Sequence, residues 1–356
     1  MDNLFEPAVA GNQTTTDSAV VAPRKRIEWL DVAKFVALML AIFFHFQHYD
    51  GWRWHAITEF FGVMTLPVFW VAGGYTTRTG FSLWHKFRTL MVPYAVMSVL
   101  CVLYQIWAAP DHLSMNTLIG ILYARFYIVE GQDYYGVYML YNIVLWFLPS
   151  LFCGYVLLKL VYLFKRLCWQ ALAAAVCVGV TFLFPYFPIL LPWGADIAFF
   201  IAPLMWLGHL LRRFRLLERF NWKIFLAGAV CYTLLEPYCT DMSYFNCKLG
   251  ADYPCGFFAA FFGAVAWLEL FLLLKDTAVA RCGSVVARRQ MWIYGLQMIF
   301  IDLCFELVIP QYLWGTLLML YQLLAVLIGG WTIGRLYDTL TAWCRAQKLK
   351  YWPFST

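Results

Sequence analysis

The sequence predicts an all-α polytopic membrane protein, and three observations predict it. Of its 356 residues, 63% are hydrophobic and only 13% charged, with a mean hydropathy of +0.68. That composition leaves too little polar surface for a water-soluble domain. The apolar residues fall in long runs, not in the short alternating segments of a transmembrane barrel. Aromatic residues make up 20% of the chain, with 17 Trp and 22 Tyr, as expected where many helix ends lie at headgroup depth.

Apolar runs near 30–47, 59–77, 90–108, 137–158, 168–185, 194–211, 222–238, 255–274, 290–309 and 313–334 give about ten transmembrane helices. The connections test this count. Basic residues before the first run and in every second connection account for 22 of the 26 Lys and Arg. Only Arg53, Arg125 and Lys248 fall in the opposite loops, and Lys34 lies inside the first run. The positive-inside rule then makes both termini cytoplasmic. Residues 1–26 read as a polar, disordered cytoplasmic tail without the apolar core of a signal peptide. Residues 27–340 form one membrane domain and 341–356 a short cytoplasmic tail. The formal charge of +6 reflects this distribution and gives no reason to expect nucleic acid. The 11 Cys lack metal-ligand spacing, so no metal is expected. Cys239, Cys247 and Cys255 share one outer loop, where a single disulfide is open, but a count of three does not make a framework.

The first run, RIEWLDVAKFVALMLAIFFH, organises the rest. Lys34 and His45 are separated by about three helical turns, so they fall within ~20° of one face and ~16 Å apart along the axis. Asp31 lies near the same face, one turn before Lys34. Ionisable groups inside a membrane are costly and mark pathways or reaction centres. The simpler reading places Lys34 snorkelling to one interface and His45 at the other.

Next, FQHYDGWRWHAITE sets His48, Asp50, Arg53, His55 and Glu59 among aromatics, which suits either a ring-stacking polar substrate or an ordinary wet loop. The second run holds Pro67, expected to kink it, and the pair Gly73-Gly74, which permits close approach of either a helix or a ligand. The loop after it gathers Arg78, Lys86 and Arg88 at the cytoplasmic rim, suited to anionic lipid or to the phosphates of a cofactor. The connection 109–136 contains NTLIGILYARFYIV, read as a re-entrant or interfacial helix. Asn142 and Trp146 are polar-capable groups in the fourth span. Asp196 opens the sixth at the outer face, Asp241 lies in an outer loop, and the ninth carries Gln297, Asp302 and Glu306.

RIEWLDVAKFVALMLAIFFH, TLPVFWVAGGY, FRTLMVPY and LWFLPSLF, with LPWGAD following, together resemble the acyltransferase-3 superfamily, in particular its fucose 4-O-acetylase-like membrane members. The order and spacing of the segments carry the resemblance over about 26–335. The chain departs from the pattern at Gly73, where the family often has Ser, and at Gln290 and Gln297, where it often has Ser and His. Gln297 cannot serve as a base.

The resemblance implies transfer of an acyl group, usually acetyl, from cytoplasmic acetyl-coenzyme A to a hydroxyl of a carbohydrate or glycolipid acceptor presented across the membrane. On that reading His45 is the catalytic base, Lys34 guides the thioester and Asp31 holds Lys34. Arg78, Lys86 and Arg88 bind the coenzyme A phosphates, and Trp146, Asn142, Asp196, Asp241 and Gln297 contact the acceptor. The ~16 Å rise from Lys34 to His45 is about the reach a pantetheine arm needs. The implied setting is the plasma membrane of a bacterium, with membrane lipid as the surrounding partner. Two other classes stay open. One is a sugar or lipid transporter relaying protons through Asp31, Lys34 and His45. The other is a non-catalytic relative acting as a partner subunit.

Overall fold

A computed structural model of the chain describes residues 26–46, 52–125, 141, 143–187, 189–239, 242–249, 253–307 and 316–346. Among these residues the regular structure is helical, apart from an isolated antiparallel bridge between Ser243 and Lys248. The chain is an all-α polytopic membrane protein. Among the described residues, six helices are long and apolar enough to cross a bilayer: Ile57–Thr76, Leu83–Ala108, Ile143–Val161, Pro192–Arg213, Pro254–Leu272 and Leu317–Trp343. The runs expected at 30–47, 168–185 and 222–238 hold helices of 16, 15 and 14 residues.

In order, α1 is Glu28–Phe43, α2 Trp52–Thr76, α3 Leu83–Ala108 and α4 Met115–Tyr123. The short α4 occupies the first part of the segment read as re-entrant or interfacial. Then come α5 at Phe147–Val161, α6 at Leu167–Thr181, α7 at Ala195–Arg213, α8 at Trp222–Leu235 and α9 at Tyr253–Leu272. Ser82 and Asn221 cap α3 and α8 by accepting from the backbone N–H groups of His85 and Lys223.

The C-terminal third departs from the expected pattern. The stretch after 274 is not a plain loop but contains α10, Ala278–Ala287, which lies against α1; a Cβ on Gly283 would come within 2.8 Å of Val32. The run at 290–309 is two helices, α11 at Gln290–Gly295 and α12 at Gln297–Leu307, broken at Leu296. The long α13, Thr316–Ala346, packs on both.

The centre of the bundle is the crossing of α2 and α7. A Cβ on Gly74 would lie 1.7 Å from the carbonyl oxygen of Met205, and one on Gly208 would lie 2.0 Å from that of Val71. No side chain fits at either place, so the glycine pair of α2 serves helix packing at Gly74. Trp70 is fully buried beside this crossing, ringed by Phe147, Phe200 and Tyr244.

Pro67 does not interrupt α2. It has no N–H to offer the carbonyl of Val63 one turn back, and the hydroxyl of Tyr244 takes that carbonyl at 2.6 Å. A second tie lies nearby. Arg125 and Asp196, both fully buried, form an ion pair, and Arg125 also donates to the carbonyls of Phe245 and, at 3.4 Å, Leu191. Asp196 accepts in addition from the backbone N–H of Leu191 at 3.0 Å and of Ile197 at 2.7 Å. Together Tyr244 and Arg125 fasten the 242–249 loop over the end of the bundle. Cys239, Cys247 and Cys255 are free thiols, so the disulfide left open by their spacing is not present.

Candidate functional site

The two ends of α1 carry different chemistry. At its start, Asp31 sits in the first turn, where the helix dipole favours an anion. It is 6% exposed and pairs with Lys34 at 2.8 Å and Arg26 at 3.1 Å. Burial of a carboxylate requires such partners, and the i,i+3 spacing supplies Lys34 directly. Trp29 and Tyr75 meet edge to face, which sets this end of α1 beside the end of α2.

The basic residues gather at that same end. The ammonium of Lys86 donates to the hydroxyl of Thr77 at 3.3 Å and lies 4.0 Å over the ring of Tyr155. Arg88 is half-buried and Arg78 exposed. Two further cations stand close by: Lys159 donates to the carbonyl of Phe81 at 2.9 Å, and Arg212 to that of Tyr75 at 3.3 Å. Cations from three other helices, α3, α5 and α7, thus gather around the end of α2 and the loop that follows it.

At the other end, α1 stops at Phe43, so His45 stands in a turn just past the helix rather than within it. Its backbone N–H closes that turn on the carbonyl of Ile42 at 2.9 Å. The imidazole folds back, with Nδ1 3.0 Å from the carbonyl oxygen of Ala41. A carbonyl only accepts, so Nδ1 carries the hydrogen. Nε2 is then the basic nitrogen.

His45 opens into a cavity of about 790 Å³. Thr58, Glu59 and Thr65 of α2 form one side; Glu236, Ser243, Tyr244 and Phe245 form another; Trp146 and Tyr294 complete it. Of the predicted residues the cavity therefore brings together His45 and Trp146. Asp31, Lys34, Arg78, Lys86 and Arg88 belong to the opposite end of α1. Asp196 does not line the cavity: its carboxylate is consumed by Arg125 and two backbone N–H groups, so the contact expected with an acceptor is replaced by a role in holding the cavity wall. Gln297 also stands outside the lining. It is fully buried at the break between α11 and α12, and both ends of its amide lack a partner among the described residues. Asn142 and Asp241 lie outside the described residues, as do His48, Asp50 and Glu130.

Glu59 and Glu236 also line the cavity. Glu236 lies in the turn after α8, where partial burial, then the charge of Glu59, raises its pKa above the usual carboxylate value. The aromatic walls are fixed. The hydroxyl of Tyr294 donates to the carbonyl of Val144 at 2.7 Å, and that of Tyr244 to Val63.

A family model described as an acyltransferase domain matches residues 27–335. No curated protein and no solved structure matches the chain. The matched region runs from the start of α1 to the later part of α13 and so includes both the basic end and the cavity of His45. The chain belongs to the acyltransferase-3 superfamily of membrane acyltransferases.

Proposed function

We propose that the protein is an O-acetyltransferase that moves the acetyl group of acetyl-coenzyme A to a carbohydrate hydroxyl. The observation that carries this reading is the pairing of a hydrogen-bonded imidazole with a cavity of substrate size at one end of α1 and a cluster of cations at the other. Cations suit the phosphates of the donor, and an aromatic, hydroxyl-lined cavity suits a sugar ring.

In this scheme Lys86, Arg78 and Arg88 hold the phosphates at the basic end, and Lys34, fixed by Asp31, guides the thioester arm along α1. The acceptor hydroxyl meets Nε2 of His45. As the hydroxyl oxygen bonds to the acetyl carbon, its proton passes to Nε2, the carbon–sulfur bond breaks and coenzyme A leaves as the thiolate. The imidazolium returns the proton to that sulfur or to water. The bond from Nδ1 to Ala41 keeps the ring oriented through both steps. Both termini and the basic end are on the cytoplasmic side, and the cavity faces outward, by the distribution of Lys and Arg. The fucose 4-O-acetylase-like subgroup, with a bacterial plasma-membrane setting, fits the same motifs.

The test is to incubate the purified full-length protein in lipid nanodiscs with acetyl-labelled coenzyme A and a panel of free and lipid-linked sugars. Label recovered as an alkali-labile ester on a sugar supports the reading. Absence of transfer to any acceptor, with the protein folded and monodisperse, overturns it.

A further inference from the structure

The depth of α4 follows from one hydrogen bond. The membrane-length helix α3 ends at Ala108, and α4 begins a short connection later, at Met115. Yet the hydroxyl of Tyr94, in the middle of α3, donates to the carbonyl of Ile121 near the other end of α4. Tyr94 stands ~21 Å along the axis from Ala108, much further than a tyrosine side chain reaches. So α4 does not lie flat at the end of α3 but folds back beside it. A helix that ends at such depth must satisfy its last carbonyls within the protein. Tyr94 takes Ile121, the indole N–H of Trp193 takes Leu122 at 2.8 Å, and the backbone N–H of Ala124, itself left-handed at φ 58°, takes Gly120 at 2.6 Å. The next residue, Arg125, turns inward to Asp196 and to the carbonyl of Phe245 in the wall of the His45 cavity.

Between α3 and α4 runs a groove of about 490 Å³, lined by α3 from Phe87 to Leu103, by Leu118, Ile121 and Leu122 of α4, and by Trp193. Its polar groups are few. The hydroxyl of Tyr94 and the N–H of Trp193 are spent on α4, which leaves Ser98 as the other hydroxyl in the described lining. Val99, Leu103, Leu118 and Leu122 are exposed along the rim, and because α3 crosses the membrane, that rim faces hydrocarbon. The groove follows α3 for ~24 Å, so its volume corresponds to a mean cross-section of ~20 Å². That is the width of one extended alkyl chain and too narrow for a sugar ring or a fused ring system. Left empty, the groove would forfeit dispersion contacts along its whole length. A chain entering it from the bilayer gains little from leaving its surroundings, so retention depends on fit to the walls.

We infer that the α3–α4 groove is a binding site for a single acyl chain of a bilayer phospholipid. The chain lies against the helix that leads through Arg125 into the cavity wall. The inference does not depend on the acyl-transfer reading and is measured without donor or acceptor.

The experiment uses the purified full chain in nanodiscs of phosphatidylethanolamine and phosphatidylglycerol. A trace of phosphatidylethanolamine carrying a diazirine in one acyl chain is the probe. After irradiation, mass spectrometry maps the labelled residues. The face of α13 with Leu320, Leu324 and Ile328 exposed reports ordinary contact with bulk lipid. Labelling between Met91 and Leu103 and between Leu118 and Leu122 should exceed labelling of that face about fivefold, as expected of a chain held in a fitted pocket. Ala95→Trp, which fills the groove from an exposed position in its lining, should bring the excess down to the level of α13 and leave α13 itself unchanged. If Ala95→Trp does not fold, Val99→Phe at the exposed rim should lower the excess in the same direction. Equal labelling of the two faces would mean bulk lipid contact alone and overturn the inference. Absence of label from the groove would mean that the chain's own residues cover it and would overturn it too, as would an excess unchanged in a folded filling variant.

Discussion

His45 donates from Nδ1 to the carbonyl oxygen of Ala41, 3.0 Å away and one turn back along the chain. This single contact fixes the tautomer, leaves Nε2 as the basic nitrogen of a residue that lines the cavity and gives a carbonyl at the end of α1 a side-chain donor. Structure and chemistry can be separated here. In His45→Asn the amide nitrogen reproduces the Nδ1 donor, so the melting temperature should stay near wild type. In His45→Ala the lost carbonyl partner should lower it modestly, by an amount equivalent to ~0.5–1.5 kcal/mol.

The ion pairs of Asp31 give a graded expectation. The Lys34 side chain is 21% exposed and that of Arg26 48%. Charge pairs weaken as water screens them, so Lys34→Met should destabilise the protein more than Arg26→Met, by ~1 kcal/mol or more against a few tenths. Lys34→Arg should keep the pair and part of the activity. Chemical denaturation of the purified variants, together with acetyl transfer, measures both.

The α2–α7 crossing predicts a sharp contrast between glycines. Gly74→Ala forces a methyl into the carbonyl of Met205 and should cost ~1–3 kcal/mol or more, or abolish folding. Gly80→Ala meets nothing within 4 Å and should be neutral. Detergent-solubilised yield and melting temperature of the two variants check this directly.

The buried pair of Arg125 and Asp196 is expected to act on the fold before it acts on any sugar. Removing one partner leaves an uncompensated buried charge, so Asp196→Ala should cost ~3–5 kcal/mol. A double variant, Arg125→Met/Asp196→Leu, should recover much of that loss because no lone charge remains. If Asp196→Ala instead keeps the wild-type melting curve and raises only the KM for the acceptor, Asp196 is a binding residue.

Much of α1 was legible in the sequence because its information is local. Asp31 and Lys34 stand one turn apart, and the apolar periodicity sets the helix around them. The positions of Gly73 and Gly74 marked a close approach without saying to what; Gly208 and Met205 decide that, from a helix far along the chain. The cavity wall was not legible. Tyr244 reaches Val63 across 181 residues, and Arg125 reaches Asp196 across 71. Pro67 announced an orphaned carbonyl at Val63 but could not name its donor. Asp196 looked like an acceptor contact because an acid at an outer helix end has the same local sequence whether it faces a sugar or a buried arginine. The break at Leu296 falls between Gly295, a weak helix former, and the polar Gln297, but the long apolar stretches on both sides read as one continuous span.

The donor side makes one further prediction. If Lys86, Arg88 and Arg78 meet the coenzyme A phosphates, Lys86→Gln and Arg88→Gln should raise the KM for acetyl-coenzyme A about tenfold while kcat changes little. Removing the 3′-phosphate from the donor should then weaken wild type more than it weakens the double variant. Equal loss in both would place the phosphates elsewhere.

Catalysis by His45 is tested most directly by single-turnover transfer of labelled acetyl from acetyl-coenzyme A, measured on purified wild type and on His45→Asn. With matching melting curves, the variant should be slower by ~10²–10⁴, the usual loss for a positioned general base. Retention of more than about a tenth of the wild-type rate in His45→Asn would contradict a general-base role for His45 and move the base to Glu59 or Glu236.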